Sequence, residues 1–246
     1  MALDVWTERE RIAGELRGLG RPGGDPKLQA YLGSPYPVLG LSSARFKEVH
    51  GRFRQAHPGL SAKDVNLLAA ALWSGPTCEE KMFAIGLLSR NAKVLDERSW
   101  ALADRWVDEA IGWALSDGLA SGPISAMAHA NPKRFADLLR WTKAEHFWRR
   151  RASTYALNEW VHAGELDKPF RLLERLLYDE EFWVQRAVGT WLRECWKQDA
   201  RRTAAFLRKH VRGLPPVTIT VATERAPKAF REELRKKSKA AKAGRR

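Results

Sequence analysis

The chain has 246 residues, 43 Lys and Arg against 29 Asp and Glu, and a formal net charge of +14. That length allows one elongated domain with a sizeable core, or two small ones. A hydrophobic fraction of 44% with no 20-residue apolar run argues against a membrane span, and MALDVWTERERIAGEL is too charged for a targeting segment. Cys78 and Cys195 stand far apart without paired neighbours. This excludes a CxxC-type zinc site, argues against a disulfide framework and fits a reducing, cytoplasmic compartment.

The charge predicts a polyanionic partner, nucleic acid before a membrane surface or an acidic protein, bound with strong salt sensitivity. Part of the excess lies in the run Arg235 to Arg246, read as a basic disordered tail behind a single domain of residues 1–234. The body is basic too, at Arg149-Arg150-Arg151, Arg201-Arg202 and Arg208-Lys209.

In chain order, breaks fall at Gly20 to Pro26, Gly33 to Pro37, Gly75-Pro76, Ser121-Gly-Pro123 and Gly213 to Pro216. Between them Asn66–Trp73, Lys81–Leu88, Phe135–Trp141 and the stretch from Phe206 carry apolar residues at helical spacing. Only Val217-Thr-Ile-Thr-Val221 alternates, and it reads as a short strand or, better, an extended loop. The class is all-α.

A repeat underlies the helices. Glu145-His-Phe-Trp148-Arg-Arg-Arg151-Ala aligns with Glu180-Glu-Phe-Trp183-Val-Gln-Arg186-Ala, about 35 residues later, the size of one helix pair in a solenoid. The same step backwards lands on Trp113 and then on Cys78. Stacked pairs of this kind form an α-solenoid whose equivalent faces line one curved surface, here a basic concave groove suited to a DNA backbone.

The ordered motifs resemble the DNA alkylation repair glycosylases of the AlkD type, built of HEAT-like helical repeats. The resemblance runs from about Leu28 to about Arg212. It rests on Leu28-Gln-Ala-Tyr31, Val38-Leu-Gly40-Leu-Ser-Ser-Ala-Arg45, Leu72-Trp73-Ser-Gly-Pro76, Glu80-Lys-Met-Phe-Ala84, Trp113-Ala-Leu-Ser-Asp117 and the two Phe-Trp repeats. It implies hydrolysis of the N-glycosidic bond of cationic N3- or N7-alkylated purines in duplex DNA, without deep base flipping. An alkylated purine already carries positive charge and departs as a neutral molecule. The protein must therefore stabilise an oxocarbenium-like sugar and position a water, for which a carboxylate and aromatic faces suffice.

On that resemblance Asp117 is the catalytic carboxylate, and Trp113, four residues earlier on the same helix face, walls the sugar site. Arg151 is the substrate-side arginine, and Arg149, Arg150, Arg186 and Lys81 are candidate phosphate contacts. The absence of a convincing lysine nucleophile beside Trp113 and Asp117 makes the expected enzyme monofunctional. It would be a monomer, with no metal and no cofactor: the six histidines lack ligand spacing, and no phosphate loop or nucleophile triad occurs.

Periodicity alone reads otherwise at several positions. Trp113 has core-type repeat mates in Trp148 and Trp183, Asp117-Gly118 is a common helix-end signal, and three successive arginines are usually a solvated face. Trp100-Ala-Leu-Ala-Asp104 repeats the Trp-x-x-x-Asp spacing, but Trp113 falls in the repeat register and Asp117 stands about one repeat before Arg151. Asp104 and Asp108 then read as solvated helix-face charges. The family pattern also expects a tryptophan where Thr190 stands. Trp191, the adjacent aromatic, is the candidate for that clamp, although one residue is a rotation of about 100° on a helix. The second reading is accordingly a non-catalytic DNA-structure-binding member on the same scaffold, and the third a protein adaptor.

Overall fold

The structure, a computed structural model, describes residues 3–243. Among them every regular element is helical, as the periodicity predicts. The chain groups into two compact units, residues 1–127 and 128–246.

The first unit holds α1 (Val5–Leu19), α2 (Pro26–Leu32), α3 (Ser43–Ala56), α4 (Ala62–Trp73), α5 (Cys78–Arg90), α6 (Glu97–Glu109) and α7 (Trp113–Leu119). The first six each start on a side-chain cap: Asp4, Asp25, Ser42, Ser61, Thr77 and Asp96 accept from the backbone N–H three residues on. Each cap contributes about 1 kcal/mol and fixes where its helix begins. At α5 and α6 the cap is reciprocal, with Glu80 and Ser99 returning to the N-cap backbone. Helices α1, α4 and α5 pack together around Ile12, Leu16, Leu68, Leu72 and Phe83, all fully buried. α7 leans on α5 and ends in a wide turn at Ala120–Ile124, where Pro123 interrupts the helical ladder. From there α8 (Ser125–Ala130) leads into the second unit.

That unit comprises α9 (Phe135–Trp141), α10 (Phe147–Tyr155), α11 (Asn158–His162), α12 (Asp167–Glu174), α13 (Phe182–Gln198), α14 (Ala200–His210), α15 (Pro216–Ala222) and α16 (Lys228–Ala243). α13 is its axis, packed by α10, α14 and α15. Trp148 and Trp183 each occupy the second position of their helices, α10 and α13, as the repeat register requires. Their rings stack with centroids 6.1 Å apart.

Two expectations are corrected here. Val217–Val221 is neither strand nor loop but lies in α15. Pro216 at the first helical position presets φ, and burial of Thr218 and Ile219 outweighs the β-propensity of the run. Gly189 of α13 makes that burial possible, since a Cβ there would lie 2.8 Å from Val221 Cβ and 3.0 Å from the Thr218 carbonyl. The basic run from Arg235 is not a separate arm: α16 continues through it to Ala243, while residues 244–246 lie outside the described residues. Phe230, Leu234 and Ser238, four apart, form its buried stripe, and the Ser238 hydroxyl donates to the Leu214 carbonyl at 3.2 Å.

Candidate active site

The first unit builds an aromatic pair and a carboxylate where the end of α2 meets the start of α7. α2 closes on Gly33 in the left-handed conformation (φ 64°), and α7 opens on Gly112 at φ 88°. A Cβ on Gly112 would sit 2.6 Å from the Leu32 carbonyl oxygen and 2.7 Å from that of Gly33. Glycine is what lets the two helix ends approach. This contact sets the position of Trp113, the first residue of α7. Its indole N–H donates to the Tyr31 carbonyl at 2.8 Å, and the two rings meet edge to face, 5.3 Å apart at 84°. Tyr31 is 69% exposed and Trp113 half-buried, so the pair presents aromatic surface to solvent.

Asp117 lies one turn further on and is half-buried. α7 turns Leu115, Ser116 and Leu119 inward, which leaves Trp113 and Asp117 on the other face. Asp117-Gly118 is not a helix end, because α7 continues to Leu119 and the Asp117 carbonyl accepts from the Ser121 hydroxyl at 2.6 Å. The rival pair, Trp100 and Asp104, lies on α6 with both residues half-buried, and Asp108 is exposed on the same helix.

Behind α7 a polar network braces the preceding loop. The Tyr36 hydroxyl donates to the Glu109 carbonyl at 3.0 Å, and the Trp73 indole N–H donates to the Glu109 carboxylate at 2.6 Å. Lys81 belongs to this network and not to a phosphate-facing surface. It is 5% exposed, and its ammonium donates to the carbonyls of Trp73 (2.6 Å) and Gly75 (2.8 Å) while lying 4.2 Å above the Tyr36 ring. The reason is local: the last carbonyl of α4 and that of Gly75 in the turn after it have no intrahelical donor, and the lysine serves both. Burial lowers the Lys81 pKa, with Glu80 and Glu109 opposing.

The second unit gathers Trp148, Arg151 and Trp183. Arg151 is 3% exposed, with its guanidinium 5.9 Å from the Trp148 ring, 4.9 Å from Tyr155 and 5.7 Å from Trp183. It donates to the Trp183 carbonyl at 2.6 Å and to the Tyr155 hydroxyl at 3.1 Å. The guanidinium is thus held in an aromatic cage and joins α10 to α13. Arg150, read as a phosphate contact, is a structural clamp. It grips Asp179 through two N–H groups at 2.7 and 3.2 Å and donates to the carbonyls of Ala144 and Glu145, both at 2.8 Å. A planar fork fits a carboxylate bidentately, which is why this arginine is drawn inward.

Arg149 is half-buried with its guanidinium 5.1 Å over Trp141, and Arg186 is exposed on α13. Trp191 is 4% exposed and meets Tyr155 edge-on at 5.6 Å. Its indole N–H finds no partner among the described residues. α13 runs unbroken through this stretch, with Thr190 half-buried and Trp191 turned into the core. The residue missed in the sequence is Tyr31. It stands in the Leu28-Gln-Ala-Tyr31 motif, but no spacing rule ties it to Trp113, 82 residues away.

The model of the DNA alkylation repair enzyme family matches residues 12–226. No curated protein matches the chain. Among solved structures, the fold is similar to a predicted DNA alkylation repair enzyme from Enterococcus faecalis at 18% identity, with a TM-score of 0.73 over 85% of this chain and 97% of that one. It is also similar to AlkD2 from Streptococcus mutans at 16% identity and a TM-score of 0.65, over 90% and 98% of the two chains. A third structure, smu.31 from Streptococcus mutans UA159, is 19% identical with a TM-score of 0.59 over 74% and 92%.

Proposed function

Because the chain belongs to the DNA alkylation repair enzyme family, we propose that it is a monofunctional N-glycosylase that releases cationic N3- or N7-alkylated purines from duplex DNA. The observation that carries this reading is the exposed Tyr31–Trp113 pair one helical turn from Asp117 on α7.

In the reaction, the bond between the sugar C1′ and the base nitrogen breaks and its electron pair passes to the base, which leaves neutral. The sugar is left as an oxocarbenium cation. The aromatic faces of Tyr31 and Trp113 favour that cation, and the Asp117 carboxylate opposes its charge. A water then adds to C1′ and gives up a proton, for which Asp117 is the acceptor, leaving an abasic site. Because the base is already charged it needs no general acid, and no deep pocket has to receive it. Arg186 and Arg149 are the proposed phosphate contacts, and Arg151 positions Trp148 and Trp183 and does not grip the substrate. We place the protein as a monomer on DNA; among the described residues no helix is long and apolar enough to cross a membrane.

The second reading, a non-catalytic binder of DNA structure, is favoured by Thr190 and by the inward-turned Trp191. Release of 7-methylguanine from duplex DNA under single-turnover conditions decides between them. The first reading expects release by the wild-type chain and a loss of about 100-fold or more in Asp117→Asn, the scale of removing an electrostatic stabiliser. Duplex binding without release of 7-methylguanine or 3-methyladenine would establish the second.

A further inference from the structure

The basic run at the carboxyl end is unaccounted for by the site. It lies in α16, which begins two residues beyond the stretch matched by the family model. Phe230, Leu234 and Ser238 point into the second unit, and Phe230 also lies against Trp196 (centroids 5.2 Å apart) and under the Arg208 guanidinium (4.8 Å). The acidic residues around the helix are matched: Glu233 by Arg208 (3.0 Å) and Lys237 (2.7 Å), Glu232 by Lys228 (3.8 Å), and Glu224 by Arg193 (2.6 Å). Lys236 and Lys239 are exposed on the opposite face, which Glu232 shares in its pair with Lys228, and Arg235 is exposed on the flank; among the described residues none of these three cations forms an ion pair with an acid. Arg235 donates only to the neutral Thr220 hydroxyl, at 3.2 Å.

We propose that the outer face of α16 is a second contact for duplex DNA, with Arg235, Lys236 and Lys239 set against backbone phosphates. The proposal rests on the DNA-binding half of the reading above and not on its chemistry. Three cations within little more than one helical turn span about 6 Å, matching a polymer that carries a charge every 1.7 Å or so along its axis. A membrane surface fits worse. An amphipathic helix that lies on lipid must offer its apolar face, and here that face is buried in the protein. Once folded, the helix also presents its cations without the ordering cost that a disordered arm would meet on binding.

The test is the salt dependence of affinity for a short undamaged duplex, measured with the full chain between about 50 and 200 mM salt. In Arg235→Gln/Lys236→Gln/Lys239→Gln the slope of log K against log salt should fall by about 2 to 3, since each lost phosphate contact removes about 0.9. Affinity at the upper end should drop at least tenfold. Lys236→Gln/Lys239→Gln, which spares the Thr220 contact, should show about two-thirds of the change in slope, and thermal melting checks that both variants fold. Wild-type binding with an unaltered slope in the triple variant overturns the proposal and leaves the site reading intact. No duplex binding by the wild-type chain overturns both. Wild-type binding to phosphatidylserine-containing vesicles, lost in the variant whose DNA slope is unchanged, assigns the face to a membrane and also overturns it.

Discussion

Gly112→Ala tests whether the α2–α7 contact builds the site. Two penalties act together. An alanine at φ 88° and ψ 149° occupies a backbone region open essentially to glycine alone, at about 1–3 kcal/mol, and its Cβ would meet two backbone carbonyl oxygens at 2.6 and 2.7 Å. Those oxygens belong to the closing turn of α2 and cannot swing aside like a side chain, so the helix ends must part. Together the penalties come to about 2–4 kcal/mol, or a fall in Tm of roughly 4–16 °C for a chain of this size. The parting also breaks the bond from the Trp113 indole to the Tyr31 carbonyl, so base release should fall by at least tenfold even where the protein remains folded. Gly118→Ala, in the same helix, is the internal control: its Cβ would meet only Ile85 at 3.9 Å, an ordinary contact. It should be neutral or stabilise by up to about 1 kcal/mol. Thermal melting by circular dichroism and single-turnover release read the two effects. A Gly112→Ala protein that melts with the wild type and releases base at the same rate would refute the assembly described.

Tyr31→Ala removes an exposed ring and should leave Tm within a degree or two while slowing base release by about tenfold, measured at saturating enzyme. Lys81→Met deprives two buried carbonyls of their donor, at about 1–3 kcal/mol each. Chemical denaturation should report that loss, while the salt slope of DNA affinity stays at the wild-type value. His50 stacks on Phe83 at 3.7 Å, and burial, with Arg90 nearby, pushes its pKa down to about 3. The folded state therefore keeps this imidazole neutral where the unfolded chain, titrating near 6.5, takes up a proton. Its contribution is whole above pH 6.5 and is lost progressively as pH falls from there towards 3. Over that window a plot of Tm against pH should fall more steeply for the wild type than for His50→Leu.

Helical class, the repeat register and the Trp113–Asp117 face were legible because each depends on spacing along one helix, which the sequence carries directly. The misread positions share a different cause. Lys81 and Arg150 are cations, and charge alone does not distinguish one that seeks a phosphate from one that satisfies backbone carbonyls of its own fold. That choice depends on which orphan groups lie nearby, the carbonyls of Trp73 and Gly75 at and after the end of α4 in one case and Asp179 in the other. Val217–Val221 failed as a strand because its burial depends on Gly189 in another helix, and α16 is hard to read because its buried stripe is only three residues long and one of them is a serine. Tyr31 depends on a pairing 82 residues long, set by two glycines whose purpose appears only when the ends of α2 and α7 are seen to touch. These cases give a rule for reading basic proteins of this kind. Cations within about one turn of a helix end, or beside a lone buried acid, should first be assigned to the fold. Those left on an outward face, such as Arg186, Arg235, Lys236 and Lys239, are the ones to test against DNA.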